Sequence, residues 1–254
     1  MSKTAIRFSK KPKLKKPILI EGLPGMGYVG KLAAEHLVEE LNAKKFAELR
    51  SPYFPHHVHM EPGGVLRLVR NEFYYASANG RDMIILVGDA QATSPEGHYE
   101  ITNKVLDLAE ELKVSQIFTL GGYATGRYSR AKPKVIGAVN HDELIKVFRK
   151  HGVKIEKSAG PIIGISGLLL GLGKLRGMKG ACLLGETHGM LVDHRSAQSV
   201  LETLTSILGI KVDMSRLEQR AKKTEHLISR IQKEQKLREQ RAKRQEEEEV
   251  SYIG

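Results

Sequence analysis

Tryptophan is absent from this chain, cysteine occurs once, and aromatic residues make up only 6% of its 254 residues. The single cysteine, Cys182, excludes an intrachain disulfide and points to a reducing compartment. Its neighbours Ala181, Leu183 and Leu184 make it a buried-strand residue and an inert core thiol. No apolar run approaches the roughly 20 residues that span a bilayer, so no membrane partner is expected. The N-terminal lysines are not followed by an apolar stretch, so no secretory signal is expected and the location read here is cytoplasmic. Acidic residues are in deficit, 29 against 41 Lys and Arg, for a formal net charge of +12. The surplus is uneven. Residues 1–17 carry seven bases and no acid, residues 211–254 carry twelve and nine, and residues 18–210 carry 22 and 20. The body is thus nearly neutral, without the basic face of a nucleic-acid binder. The arm 1–16, with Lys10, Lys11, Lys13, Lys15 and Lys16, reads as a solvated, disordered tail.

What is present is organised around Pro17–Leu41. Ile18, Leu19 and Ile20 form the short apolar run of a buried parallel strand. Gly22, Pro24, Gly25 and Gly27 then break the chain. Leu32, Ala33, His36, Leu37 and Leu41 recur at helical spacing. Gly25, Gly27 and Gly30 fit G-x-G-x-x-G, and Glu48 stands about where a dinucleotide site places its ribose-binding acid. The alternative is packing: an α/β protein needs small residues where its first strand turns into its first helix, and bulky Met26 and Tyr28 suit a contact loop as well as a phosphate cradle.

The pattern repeats. Asp82–Val87, Ser115–Leu120 and Lys179–Leu184 read as buried strands, each running into a polar or glycine-rich loop. These loops hold Asp89 and Gln91, then Gly122, Tyr123 and Arg127, then Glu186 and His188. Loops at the carboxyl ends of such strands are where open α/β sheets place functional groups. Val65–Arg70 and Phe73–Ala78 read as a hairpin joined at Asn71-Glu72. His56, His57, His59 and Glu61 invite a metal, but no second ligand group at diagnostic spacing supports it, and none is assigned. Ser166 sits in a glycine-rich turn that is not G-x-S-x-G, and no base is assignable to it. No catalytic residue and no cofactor are assigned. From Met214 a helix of roughly 48 Å is expected to about residue 246. Its distal half has too little apolar surface to dock and projects, within a helical segment 211–249. The chain closes on Val250, Ser251, Tyr252, Ile253 and Gly254, read as a tethered linear motif.

Five blocks in order carry a resemblance: Gly22-Leu-Pro-Gly-Met-Gly-Tyr-Val-Gly30, Val87-Gly-Asp-Ala-Gln91, Leu120-Gly-Gly-Tyr-Ala-Thr-Gly126, Gly164-Ile-Ser-Gly-Leu168 and Leu184-Gly-Glu-Thr-His-Gly189. Across roughly residues 17–210 the chain resembles the archaeal members of the proteasome assembly chaperone family. The resemblance implies a nucleoside-phosphorylase-like α/β fold, with a mostly parallel central sheet flanked by helices, a β-hairpin and the long C-terminal helix. It also implies a non-enzymatic, ATP-independent homotetramer or homopentamer. Its partner would be the α-subunits of the proteasome core particle, engaged by a tail of hydrophobic residue, Tyr, then any residue at the chain end. Val250, Tyr252, Ile253 and Gly254 are the residues this places at the partner. The tail departs from the pattern, because Ser251 precedes Tyr252 and two residues follow it. The rival reading is a nucleotide- or nucleoside-binding enzyme using the glycine loops.

Overall fold

The computed structural model describes residues 3–127, 129, 131–155 and 160–224. In chain order, β1 is Ala5–Phe8, β2 Ile18–Gly22, α1 Val29–Glu40, β3 Lys44–Arg50, β4 Val58–Met60, β5 Leu66–Leu68, β6 Asn71–Ala78 and β7 Arg81–Gly88. There follow α2 Pro95–Glu111, β8 Gln116–Ala124, β9 Val135–Val139, α3 Glu143–Lys150, β10 Lys154–Ile155, α4 Ile165–Leu175, β11 Gly180–Thr187 and α5 His194–Leu208. Residues 215–224 are also helical.

Among the described residues nine strands form one sheet in the order β1-β3-β6-β7-β2-β8-β11-β9-β10. Its centre, β7-β2-β8-β11, is parallel. The flanks β1-β3-β6-β7 and β11-β9 are antiparallel. The expected α/β class is therefore observed, but the sheet is mixed and not mostly parallel as expected, with parallel pairing concentrated at its centre, where both faces are covered.

Strand residues alternate between two cores, as a pleat of period two requires. Ile18, Ile20, Met83 and Ile85 face α1 and α5, packing on Ala33, Leu37, Val200 and Leu204. Leu19, Ile84 and Leu86 face α2 and α4, packing on Ile101, Val105, Leu169 and Leu170. Helix starts follow their sequence signals. Pro95 occupies the first turn of α2 while Ser94 Oγ accepts from Gly97 N at 3.1 Å. Asp193 accepts from Ser196 N at 2.9 Å to open α5. Each such cap satisfies an amide the helix leaves unpaired.

Two expectations are corrected. The N-terminal arm is not disordered throughout: β1 pairs in register with β3, and Thr4 is buried. Charge counting masked Ile6 and Phe8, of which Phe8 lays its ring 6.3 Å from that of Phe46. The hairpin is also elsewhere. The run Val65–Arg70 supplies β5, which pairs with β4 in a separate two-stranded ribbon, while Phe73–Ala78 lies in β6, which pairs with β7 across Asn79-Gly80. Asn71 is no turn residue, being fully buried and opposite Gly88. Finally, Leu217 of the helical stretch 215–224 is buried against the α1/α5 side. The rest of the expected long helix, and the tail residues Val250, Tyr252, Ile253 and Gly254, lie outside the described residues.

Candidate functional site

The four parallel strands end at one edge of the sheet, and their loops meet there. The loop after β2 makes a single 3-10 turn, Met26–Tyr28, before α1. Gly27 and Tyr28 both adopt left-handed backbone, with φ of 61° and 55°. This brings Gly27 N to Gly189 O at 3.3 Å and Tyr28 N to Gly25 O at 2.9 Å, while Gly27 O accepts from Asp193 N at 2.9 Å. Two of the amides a phosphate could use here, those of Gly27 and Tyr28, are thus engaged by the protein's own carbonyls.

Close approach explains the glycines. A Cβ on Gly30 would stand 2.0 Å from Leu120 O, and one on Gly122 would stand 2.3 Å from Met26 O. These positions let α1 and its turn lie directly on β8. Glu48 does not serve a dinucleotide either. It lies on β3, separated from β2 by β6 and β7, and is held below its ordinary carboxyl pKa by its hydrogen bond from Lys45, with burial opposing and Arg50 and Arg70 assisting.

Gln91 ties two loops together. Its Nε2 donates to Pro24 O at 2.7 Å and its Oε1 accepts from Ile165 N at 2.9 Å, so it caps α4 and holds the β2 loop. Asp89 points the other way, toward the ribbon. Arg67 Nη2 donates to Asp89 Oδ1 at 3.0 Å, and Arg70 N donates to Oδ2 at 3.0 Å. Burial works to raise the Asp89 carboxyl, but these bonds outweigh it and hold it below the usual carboxylate range.

The residues on β8 and β11 behave differently. Tyr123 is exposed near Met26, and Met190, Leu191 and Val192 add further exposed apolar side chains at this edge. Arg127, Glu186 and His188 line one cavity of about 200 Å³, walled also by Lys134, Arg195 and Thr224. Glu186 Oε2 accepts from Lys134 N at 3.3 Å. The predicted loop residues therefore split between a packed hub at Gly25–Gly30 and Gln91 and an open pocket at Arg127, Glu186 and His188.

Sequence reasoning missed Glu21. It is wholly buried at the end of β2, accepting from Ser166 Oγ at 2.8 Å and from Leu23 N at 2.9 Å. Burial raises its carboxyl to about 7, against those two bonds. The acid partner that Ser166 lacked in the sequence is thus present, but the hydroxyl points into the core as a donor. Cys182 is likewise buried, and burial pushes its thiol up to about 12. The signal for Glu21 was available: a lone acid within an otherwise apolar strand.

The histidine cluster does not converge. His57 and His59 place their rings 5.2 Å apart, and Glu61 pairs with Arg67 Nε at 2.7 Å. Among the described residues no group of three or more His, Cys, Asp or Glu is placed to hold a metal ion.

The sequence profile of the PAC2 family matches residues 19–232. The chain belongs to the PAC2 family. Its fold superposes on that of Pyrococcus furiosus PbaB, described as an archaeal proteasome activator, with a TM-score of 0.87 and 45% identity, covering 91% of this chain and 100% of that one. PbaA of the same organism, described as an archaeal homolog of proteasome-assembly chaperone, gives 0.74 and 29%, covering 90% of this chain and 96% of that one. An uncharacterised Methanocaldococcus jannaschii protein, MJ1210, is 39% identical over 243 residues, 95% of this chain and 93% of its own. In this PAC2 protein Gly27, Gly30 and Gly122 each serve a close contact, with Thr187, Leu120 and Met26, whereas a Cβ on Gly25 would meet only Gln91 Nε2, at 3.9 Å. No helix among the described residues of this PAC2 protein is long and apolar enough to cross a membrane.

Proposed function

We propose that this PAC2 protein is a non-enzymatic chaperone or activator of the proteasome core particle, acting as a homo-oligomer through its C-terminal tails without ATP. The observation that carries the reading is the 45% identity to PbaB along 91% of the chain. The geometry agrees with it. In the glycine loop the amides of Gly27 and Tyr28 are engaged by Gly189 O and Gly25 O, and Ser166, whose acid partner is Glu21, is turned inward. On this reading function lies on the surface and the tail, with the open cavity at Arg127, Glu186 and His188 as the alternative site. Tyr252 supplies an aromatic anchor of the type that dominates binding energy. Several weak tails on one rigid body gain affinity through effective concentration when their spacing matches the partner's pockets.

The test is capture of assembled core particle, and of its α-subunits, by the full chain and by a chain ending at Glu249. Capture by the full chain alone supports the tail reading. Equal capture by both would remove the tail from the mechanism, and capture by neither would remove the proteasome as partner.

A further inference from the structure

The ribbon of β4 and β5 presents an apolar face to solvent. Cross-strand partners are Val58 with Leu68, His59 with Arg67 and Met60 with Leu66. Since strand side chains alternate, Val58, Met60, Leu66 and Leu68 share one face, and His59 and Arg67 share the other. Exposure follows that division: the four apolar side chains are 48%, 76%, 64% and 49% exposed, whereas His59 and Arg67 are more covered.

The polar face fixes the ribbon to the body. Arg67 pairs with Asp89 through two hydrogen bonds, and Asp89 N donates to Arg70 O at 3.0 Å. The turn is closed by Gly64 N to Glu61 O at 3.0 Å and Glu61 N to Val65 O at 2.9 Å, with Gly63 and Gly64 at φ of 87° and 81°. A fixed ribbon needs no ordering when a partner arrives, which removes one of the costs of association.

We infer that this face is an interface between two copies of the chain, ribbon packed on ribbon. The inference rests on the homo-oligomer part of the function proposed above. Three features favour a second copy as the occupant. The four side chains leave roughly 400 Å² of apolar surface per copy, in the range where the largest patch of a monomer is functional. Two copies supply that area twice, roughly 800 Å² before any rim, which brings the contact near the ~1,000 Å² of specific interfaces. The patch is a near-rectangle of two directly opposed apolar pairs, so a copy turned by a two-fold axis offers it the same shape and chemistry. Stacked sheet faces of this kind pack at about 10 Å. Finally, the charge beside the patch is not basic. Across residues 58–68 the one Lys or Arg, Arg67, lies on the opposite face and is matched by Glu61 and Asp89, so the ribbon brings no basic side chain to the contact between two chains of net charge +12.

The experiment uses the full chain. Sedimentation measures the mass of the wild type and of a Met60→Glu/Leu66→Glu variant at micromolar concentration, with circular dichroism to check folding. In parallel, Met60→Cys gives a single reachable thiol, because Cys182 is buried, and a short bis-maleimide tests whether two such thiols face each other. The expected result is an oligomeric wild type, a variant whose mass falls at least twofold while its dichroism is unchanged, and efficient cross-linking at residue 60. Should the double variant misfold, the cross-link decides. An oligomer whose mass ignores the glutamates, with no cross-link, would overturn this surface and leave the oligomer standing. A monomeric wild type would overturn both. Failure of the wild type to capture the core particle touches only the proteasome reading and leaves the mass result intact.

Discussion

Glu21 is the residue whose chemistry is most altered by its position. In the unfolded chain its carboxyl has the ordinary value of 4.5, whereas in the fold burial raises it to about 7. Between those values the folded state keeps a proton that the unfolded state releases. Stability from this group is therefore fully present below about pH 4.5, falls as pH rises to about 7, and is level above. Glu21→Gln keeps an acceptor for Leu23 N and a partner for Ser166 without the ionisation. The expected outcome is a variant that gains on the wild type as pH rises through that window, by about 3 kcal/mol at pH 8 from a shift of this size. Denaturant midpoints at pH 4.5, 6 and 8 measure it, and a constant difference across the series would remove the linkage. Gly30 makes a different demand. Gly30→Ala drives a methyl against Leu120 O in a place where both sides are backbone, and it should destabilise by about 2–3 kcal/mol, read as a lowered urea midpoint. The sequence shows that Gly30 matters, but G-x-G-x-x-G is shared by phosphate cradles and tight helix–strand contacts. Only the neighbour across the gap distinguishes the two.

At the scale of elements, the alternating strands and the helical stripes were readable from periodicity because burial enforces it. The buried runs Ile18–Ile20 and Asp82–Val87 became β2 and β7 within a residue or two at each end. What was not readable was pairing. Val65–Arg70 and Phe73–Ala78 look like two arms of one hairpin, since Asn71-Glu72 has turn-forming chemistry, and local propensity carries no information about which strand lies opposite. The decision was made by Asp89, far along the chain, whose carboxylate fixes Arg67 and the amide of Arg70. The same ion pair sets a prediction. Asp89→Asn leaves an acceptor but removes the charge, so the ribbon should open more often while the central strands are unaffected. Amide exchange in residues 58–68 should quicken about tenfold, the equivalent of about 1.4 kcal/mol of local stability, with β2 and β8 unchanged. Uniform acceleration throughout the sheet would mean that Asp89 supports the whole fold and not the ribbon.

For the whole molecule, the question is whether loops or tail carry function. A nucleotide-binding protein of this size would be stabilised by RT ln(1 + [L]/Kd). Because the amides at Gly27 and Tyr28 already have carbonyl partners, millimolar nucleosides, nucleotides and phosphate should leave the melting temperature unchanged. A rise of several degrees with any of them would return the cavity at Arg127, Glu186 and His188 to the centre of the account. The tail gives the sharper test. In the pattern implied by the family resemblance, one residue follows the tyrosine and the chain end supplies a carboxylate, but here Ile253 and Gly254 both follow Tyr252. If the pocket reads that carboxylate, removing Gly254 alone moves it to its place beside Ile253, and affinity for the core particle should rise. The gain is multiplied by the number of tails engaged at once, since each tail's improvement enters the avidity of the assembly. Surface plasmon resonance on immobilised core particle, comparing the full chain, the chain ending at Ile253 and the chain ending at Glu249, measures this directly. Tighter binding of the chain ending at Ile253, through slower dissociation, would fix the register of Tyr252. Weaker binding would show that Gly254 is itself part of the motif and that this protein docks its tyrosine one residue deeper.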